Sequence, residues 1–434
     1  MVRAKRRSPE DSDLLGRTAT FKGRQSDVHG KTQGAVTSCF VTYRSYLDHA
    51  ATTRMLPEVQ ERWLEVSQLV GNPSSLHDSG RRTRRIVEEA RESIAADLVT
   101  RPSAVIFTSG GTEADNLAVK GLFWAGETRG KSGVIASAIE HHAVLDPVKW
   151  LGEHEQAKVL WVGVDSVGRV DLEEVNASLA VGDIAVVTIM WANNEVGTVQ
   201  PVFELAALCR SYGVAFHTDA VQVLGQLPMN LGELGATAVT VTAHKVGGPF
   251  GVGALILDPD TKPTPILHGG GHEREIRSGT LDAAGIAGFA VAVQSAVKNQ
   301  RDFAQRVQGL RNDLIARVLA EVPAAQLNGE PDLIGSSRLP ANAHFTFANC
   351  EGDALLLLLD AAGIDCSTGS ACTAGIPEPS HVLLAMGAEP KASRGSLRFS
   401  LGRDSISADV DRLIEVLPGV VERASRAGSV RSRA

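Results

Sequence analysis

Between positions 104 and 258 the chain carries a repeating alternation that few folds can satisfy. Short aliphatic and β-branched runs appear at AVIF (104–107), GVIAS (133–137), VLWVGV (159–164), IAVVTIM (184–190), VAFHT (214–218), AVTVT (238–242) and GALILD (253–258). Runs this apolar and this short suit strands buried on both faces. Helical stretches such as NLAVKGLFWAG (116–126) and VFELAALCRSYG (202–213) separate most of them. That alternation predicts an α/β domain with a mostly parallel central sheet. AVTVT and GALILD leave no room for a helix between them, so an antiparallel hairpin is expected to close that edge.

After a long helix expected near 281–320 the pattern changes. AHFTF (343–347), a helical EGDALLLLLDAAG (351–363) and SLRFSLG (396–402) predict a smaller α+β domain. The expected division is a basic, disordered extension over 1–44, a segment 45–61 joining the small domain, a large domain over 62–300, a small domain over 301–421 and a frayed basic tail over 422–434. A targeting segment is the weaker alternative for the extension, because Glu10, Asp11, Asp13 and Asp27 interrupt its positive charge, and a misassigned start is the third.

With 434 residues, 43% hydrophobic and 21% charged, the chain can bury substantial cores. A net charge of −7 argues against a nucleic-acid surface as its main business, and the longest apolar run, 354–359, is far too short to span a membrane. Its five cysteines, Cys39, Cys209, Cys350, Cys366 and Cys372, are odd in number and irregularly spaced. No signal peptide precedes them, so a cytoplasmic enzyme without a disulfide framework is expected.

Several segments carry chemistry. In TSGGTEADNLAVKGL (108–122) two glycines and Thr112 open an amphipathic helix, whose free N–H groups suit a phosphate. The ordinary alternative is a strand–helix turn with Thr112 as N-cap and Asp115 at N3. In FHTDAVQ (216–222), Asp219 and Gln222 follow a strand where open sheets bind ligands. Asp219 either pairs with a cationic ligand atom or caps a helix. In VTVTAHKVGGPFGVGAL (239–255), Thr242, His244 and Lys245 leave a strand; the lysine is a desolvated nucleophile or a solvated loop residue.

IEHHAV (139–144) and WANNEVG (191–197) fall on the same rim. His141 and His142 are wrongly spaced for two zinc ligands on one helix face, so one is expected to face the cleft. HGGGHE (268–273) hints at a metal, but no matching acid or thiolate set accompanies it. Arg398, in RGSLRFSLGR (394–403), suits a carboxylate or makes a surface ion pair. IDCSTGSACTAG (364–375) leaves open a metal clip, a disulfide, a redox pair or one reactive thiol. A phosphate cradle, a carboxylate, an amine, a histidine and an arginine are the parts that hold pyridoxal phosphate and an amino acid.

YLDHAATT (46–53), GNPSSLHDSGR (71–81), SGGTEADNLAVKG, EHHAVLD, NNEVG, TDAVQVLGQLP, AHKVGGPFGVGAL, HGGGHEREIRSGT and STGSACTAG…PSHVLLAMG follow one another from about Tyr46 to Gly419. In that order and spacing they resemble the NifS/IscS-type cysteine desulfurases of the class-V aminotransferase family. The resemblance implies a fold-type I homodimer dependent on pyridoxal 5′-phosphate. It implies that L-cysteine gives L-alanine, with the sulfur passing to the Cys372 thiolate as a persulfide.

By position, the resemblance makes Lys245 the amine that joins the cofactor aldehyde, and Asp219 the partner of its pyridine nitrogen. His141 stacks on the ring and moves protons, with Asn194 and Gln222 near the phenolic oxygen. Gly111, Thr112, Thr242 and His244 match the phosphate cradle, with Thr280 lent by the neighbouring subunit. Asn72, Asn194 and Arg398 match substrate-binding positions. No resident metal is implied, Cys372 being at most a transient ligand of an iron–sulfur cluster. Thr242 stands where a serine is common, and the extension has no family counterpart.

Sulfur acceptors of the implied kind are an iron–sulfur scaffold or a tRNA-thiolation enzyme, with no direct nucleic-acid or membrane contact. Cys366 is expected to be buried or half-buried beside the loop, with a resolving thiol or transient ligand as its alternatives. Two other functions remain open on the sequence: another fold-type I enzyme such as a selenocysteine lyase, and a non-catalytic scaffold for sulfur acceptors.

Overall fold

All seven apolar runs become strands of one sheet. In a computed structural model of the chain, residues 44–368 and 379–431 are described. The 1–43 part of the extension, the loop segment holding Cys372 and residues 432–434 lie outside them. The strands are β1 (Ser45–Tyr46), β2 (Val105–Thr108), β3 (Gly133–Ser137), β4 (Lys158–Val162), β5 (Ile184–Thr188), β6 (Ala215–Asp219), β7 (Ala238–Thr242), β8 (Gly253–Leu257), β9 (Ala325–Leu327), β10 (Asn342–Phe347), β11 (Ile364–Asp365) and β12 (Ser396–Ser400).

The large sheet has the order β2–β8–β7–β6–β5–β3–β4, parallel except for β8. Successive residues of β5 serve different cores: Val186 packs with Ile106, Val134 and Leu255, and Val187 with Ile135, Phe216 and Val239. Helices on both faces complete these two layers, which is why the strands lack polar alternation.

Two strand expectations need correction. β7 and β8 do form an antiparallel hairpin, but β8 lies inside the sheet and β2 takes the outer position. That pairing joins segments distant in sequence and leaves no local signal. β4 is not buried on both faces; as the opposite edge strand it leaves Trp161 40% exposed.

The expected 281–320 helix is two helices, Ala283–Lys298 and Gln300–Glu321. At the junction Asn299 turns its side-chain amide (2.8 Å) and its backbone N–H (3.1 Å) onto the Ser295 carbonyl. Such local bonding competes with continued helix.

Beyond it, β10 sits between antiparallel β9 and β12 and buries Phe345, Phe347 and Phe399 in a separate core. β1 pairs with β11, tying the 45–61 segment to this part. The expected frayed tail is instead helical from Ser407 through Arg431, because Val420, Val421 and Ala424 pack into the same core. The described residues form one compact unit, so the boundary near 300 falls inside it.

Candidate active site

The parallel strands deliver their C-terminal ends to one pocket of about 220 Å³. Gly111 and Thr112 reach it after β2, His141 after β3 and Asn194 after β5. Asp219 and Gln222 reach it from the end of β6, and Thr242, His244 and Lys245 from the end of β7. A larger cavity, about 340 Å³, also touches Lys245 and Gln222, but aliphatic residues such as Leu56, Leu224 and Leu401 wall much of it. Convergent polar groups mark the smaller pocket as the chemical one.

The turn after β2 depends on Gly110, whose φ of 140° lies where side chains are not tolerated. Gly110, not Thr112, caps the 111–127 helix, and no side chain bonds to its first N–H groups. Those donors have no partner within the helix, and the dipole favours an anion beside them.

Asp219 ends β6, with Oδ1 accepting the Val221 N–H at 2.8 Å. Turns rather than a helix follow, so it is not a helix cap. Burial, then neighbouring Asp115, pushes its pKa up to about 7. Asp115 is likewise raised to about 7 by burial and lies 3.5 Å from His217 Nε2. His217 bridges the hydroxyls of Thr188 (2.8 Å) and Thr240 (3.0 Å), and burial lowers its pKa to about 4.

Sequence reasoning passed over Asp115 and His217 as site residues. The signal was present: His217 lies two positions before Asp219 on one strand face, and Asp115 one helical turn after Gly111.

Lys245 is not a solvated loop residue. Its Nζ donates to the Ala50 carbonyl and, at 2.7 Å, to that of Ala51. Burial, then Arg398, lowers its pKa to about 8, with Asp219 and Asp48 opposing. A sizeable neutral-amine fraction is therefore present near neutrality.

His141 caps the 142–154 helix, its Nδ1 accepting the Ala143 N–H at 3.1 Å, so Nε2 is left to carry the proton. The ring opens to solvent on one side, yet surrounding protein and then Lys245 drive its pKa down to about 4. His142 turns away to Asp146, at 3.2 Å. His244 stacks on Phe250 and bonds Thr52, Thr242 donates to the Val252 carbonyl, and Gln222 donates to the Ala50 carbonyl.

Arg398 adjoins this group from β12 and is only 4% exposed, so its ion pair is not at the surface. One arm reaches Asp48 (2.7 Å), another the Asn194 carbonyl (3.0 Å), and the buried Nε has no hydrogen-bond partner. Asp48 is a further residue that sequence reasoning did not single out.

Asn72 and Thr280 are exposed and do not line the pocket; Asn72 Oδ1 accepts the Ser74 N–H. Cys366 is buried, and burial with Asp48 and Asp365 raises its pKa well above the ordinary thiol range. It is no ready thiolate. In HGGGHE, His272 bonds Ser74 (2.9 Å) and the Gly279 N–H (3.2 Å), while Glu273 pairs with Arg91. Among the described residues no cluster of three His, Cys, Asp or Glu side chains could hold a metal ion.

Residues 45–413 match the profile of the aminotransferase class-V family. The chain belongs to the class-V aminotransferase family. Among class-V relatives, an IscS-like cysteine desulfurase of Mycobacterium tuberculosis is 53% identical over 386 residues, covering 88% of this chain and 98% of that protein. A cysteine desulfurase IscS of Dictyoglomus turgidum is 42% identical, covering 87% and 94%. A solved NifS-like protein superposes with a TM-score of 0.81 at 34% identity, covering 88% of this chain and all of that one. DndA from Streptomyces lividans gives 0.69 at 37% identity, covering 82% and 99%. This class-V chain therefore has the fold-type I architecture that the motif order implied, and its relatives are named as the same NifS/IscS type.

Proposed function

We propose that the chain is a cysteine desulfurase that uses pyridoxal 5′-phosphate to convert L-cysteine into L-alanine, leaving the sulfur as a persulfide on Cys372. One observation carries this: a single pocket joins a desolvated lysine, a buried carboxylate and the open start of a helix.

These residues fit the cofactor. Asp219, raised to about 7 by burial and by Asp115, would regain its charge beside a cation and so suits a protonated pyridine nitrogen. The N–H groups after Gly110, with Thr112, Thr242 and His244, suit the phosphate. Lys245 suits the aldehyde, His141 the ring face, and Gln222 and Asn194 the phenolic oxygen. When bound, the cofactor supplies an electron sink for the carbon atoms of the substrate amino acid.

The chain's own groups do the rest. Arg398 turns its fork toward the substrate carboxylate, sharing it with Asp48. Lys245 Nζ takes up and returns protons at the substrate carbons, with His141 Nε2 as a second carrier. The Cys372 thiolate attacks the substrate sulfur; an S–S bond forms as the substrate Cβ–S bond breaks, and the carbon skeleton leaves as alanine.

Thr280 acts in a homodimer at the neighbouring site, and the role for Asn72 requires its turn to move toward the pocket. The 62–300 part holds the cofactor, and the 301–421 part carries the sulfur-accepting loop. We place the enzyme in the cytoplasm, supplying an iron–sulfur scaffold or a tRNA-thiolation enzyme.

Loaded with pyridoxal 5′-phosphate and given L-cysteine and a thiol reductant, the protein should form alanine and sulfide in equal amounts. Pyruvate in place of alanine, or keto acids from other amino acids, would overturn the assignment.

A further inference from the structure

The backbone at 273–275 is unusual. Glu273, Arg274 and Glu275 have φ of 46°, 58° and 65°, three non-glycine residues in succession in the left-handed region. Each is disfavoured by its own Cβ, and such strain survives only where the surroundings enforce it.

Two ion pairs anchor the segment, one at Glu273 within the strained stretch and one at Arg277 just after it. Glu273 takes two bonds from Arg91, at 2.7 and 2.9 Å, and its Oε2 also accepts the Phe107 N–H at 2.8 Å. Arg91 in turn donates to the Val105 carbonyl at 2.6 Å. β2 is an edge strand, so this pair supplies the acceptor and donor that a further strand would offer. Four residues on, Arg277 grips Glu113 at 2.7 and 3.2 Å, and Glu113 Oε2 accepts the Ser109 N–H at 2.7 Å. Both pairs are nearly out of solvent, no member exceeding 13% exposure.

Between Phe107 and Glu113 lies the turn that opens the 111–127 helix. Gly110 and Gly111 give it freedom, and it has no side-chain cap of its own. Within the turn the Thr108 hydroxyl bonds the Gly110 carbonyl at 2.9 Å, and from outside the 273–277 segment grips the strand before it and the helix after it.

We propose that Glu273 and Arg277 are positioning residues for this anion cradle. Acting through Phe107 and Glu113, they fix where its N–H groups point. The proposal rests on reading the cradle as the phosphate site.

The test compares pyridoxal 5′-phosphate with pyridoxal, which keeps the ring and aldehyde but lacks the phosphate. Affinity is read from the absorbance of the lysine-bound aldehyde. Two variants serve, each checked for native melting: Arg277→Lys, which keeps the charge but loses the fork, and Arg277→Met with Glu113→Gln, which leaves no lone carboxylate. Each should lower the preference for the phosphorylated ligand by about tenfold with pyridoxal affinity unchanged.

A wild-type preference retained in the double variant would mean that only charge balance mattered and would overturn the positioning role. A parallel loss of affinity for both ligands would overturn it too, as general damage. Wild-type protein that binds both ligands equally would overturn the phosphate reading itself, and this proposal with it.

Discussion

Lys245→Ala should abolish alanine formation from L-cysteine, by at least about 10³-fold, because it removes both the nucleophile and the proton carrier. The same variant should lose the visible absorbance of the lysine-bound cofactor and release pyridoxal 5′-phosphate on dialysis. The expectation follows from position. Lys245 leaves the end of a fully buried strand, and burial with Arg398 brings its pKa to about 8. A nearby arginine lowers the ammonium population without competing as a nucleophile, since its guanidinium stays protonated. A coloured and active Lys245→Ala protein would remove Lys245 from the mechanism.

Asp219→Asn should lower kcat by about 10²–10³-fold, as loss of a preorganised charge partner does. It should also give a stability signature without cofactor. The folded pKa of Asp219 is raised from 3.8 to about 7, so the folded state holds its proton more tightly than the unfolded state does. The associated stability is complete below about pH 4 and disappears as pH rises through about 7. Asparagine has no charge to bury. The cofactor-free variant should therefore melt above wild type at pH 8, with the gap shrinking as pH falls toward 4. A gap that widens on acidification would mean that Asp219 is paired with a cation in the free protein.

Most of the pocket was legible because its residues follow strands that announce themselves, with Asp115 inside the 111–127 helix as the exception. Asp219 and Thr242 end five-residue strands and Lys245 follows the second by three residues, where an open sheet must place ligands. What the sequence hid were partners without a local signature. Asp48 meets Arg398 across 350 positions, and Arg91 meets Glu273 across 182. Neither pairing leaves a periodicity to read. His217 shares a strand face with Asp219, but the two threonines and the carboxylate that close around it come from three other elements, and only the fold shows them.

The fold shows the same division. Runs and helical stretches gave the element types, but not the insertion of β8 beside β2, which depends on long-range pairing. The break at Asn299 turned on one side chain bonding its own helix, and the helix past Glu422 on three apolar residues among basic ones.

The central claim is that sulfur leaves L-cysteine and rests on Cys372. Wild-type and Cys372→Ser proteins, both loaded with cofactor, would be given L-cysteine without reductant, alkylated, digested and mapped by mass spectrometry. A gain of one sulfur atom confined to the Cys372 peptide, with the Cys366 peptide unchanged and no stable persulfide in Cys372→Ser, is the predicted result. A persulfide on Cys366 in the wild type, or full sulfide release by Cys372→Ser, would contradict it.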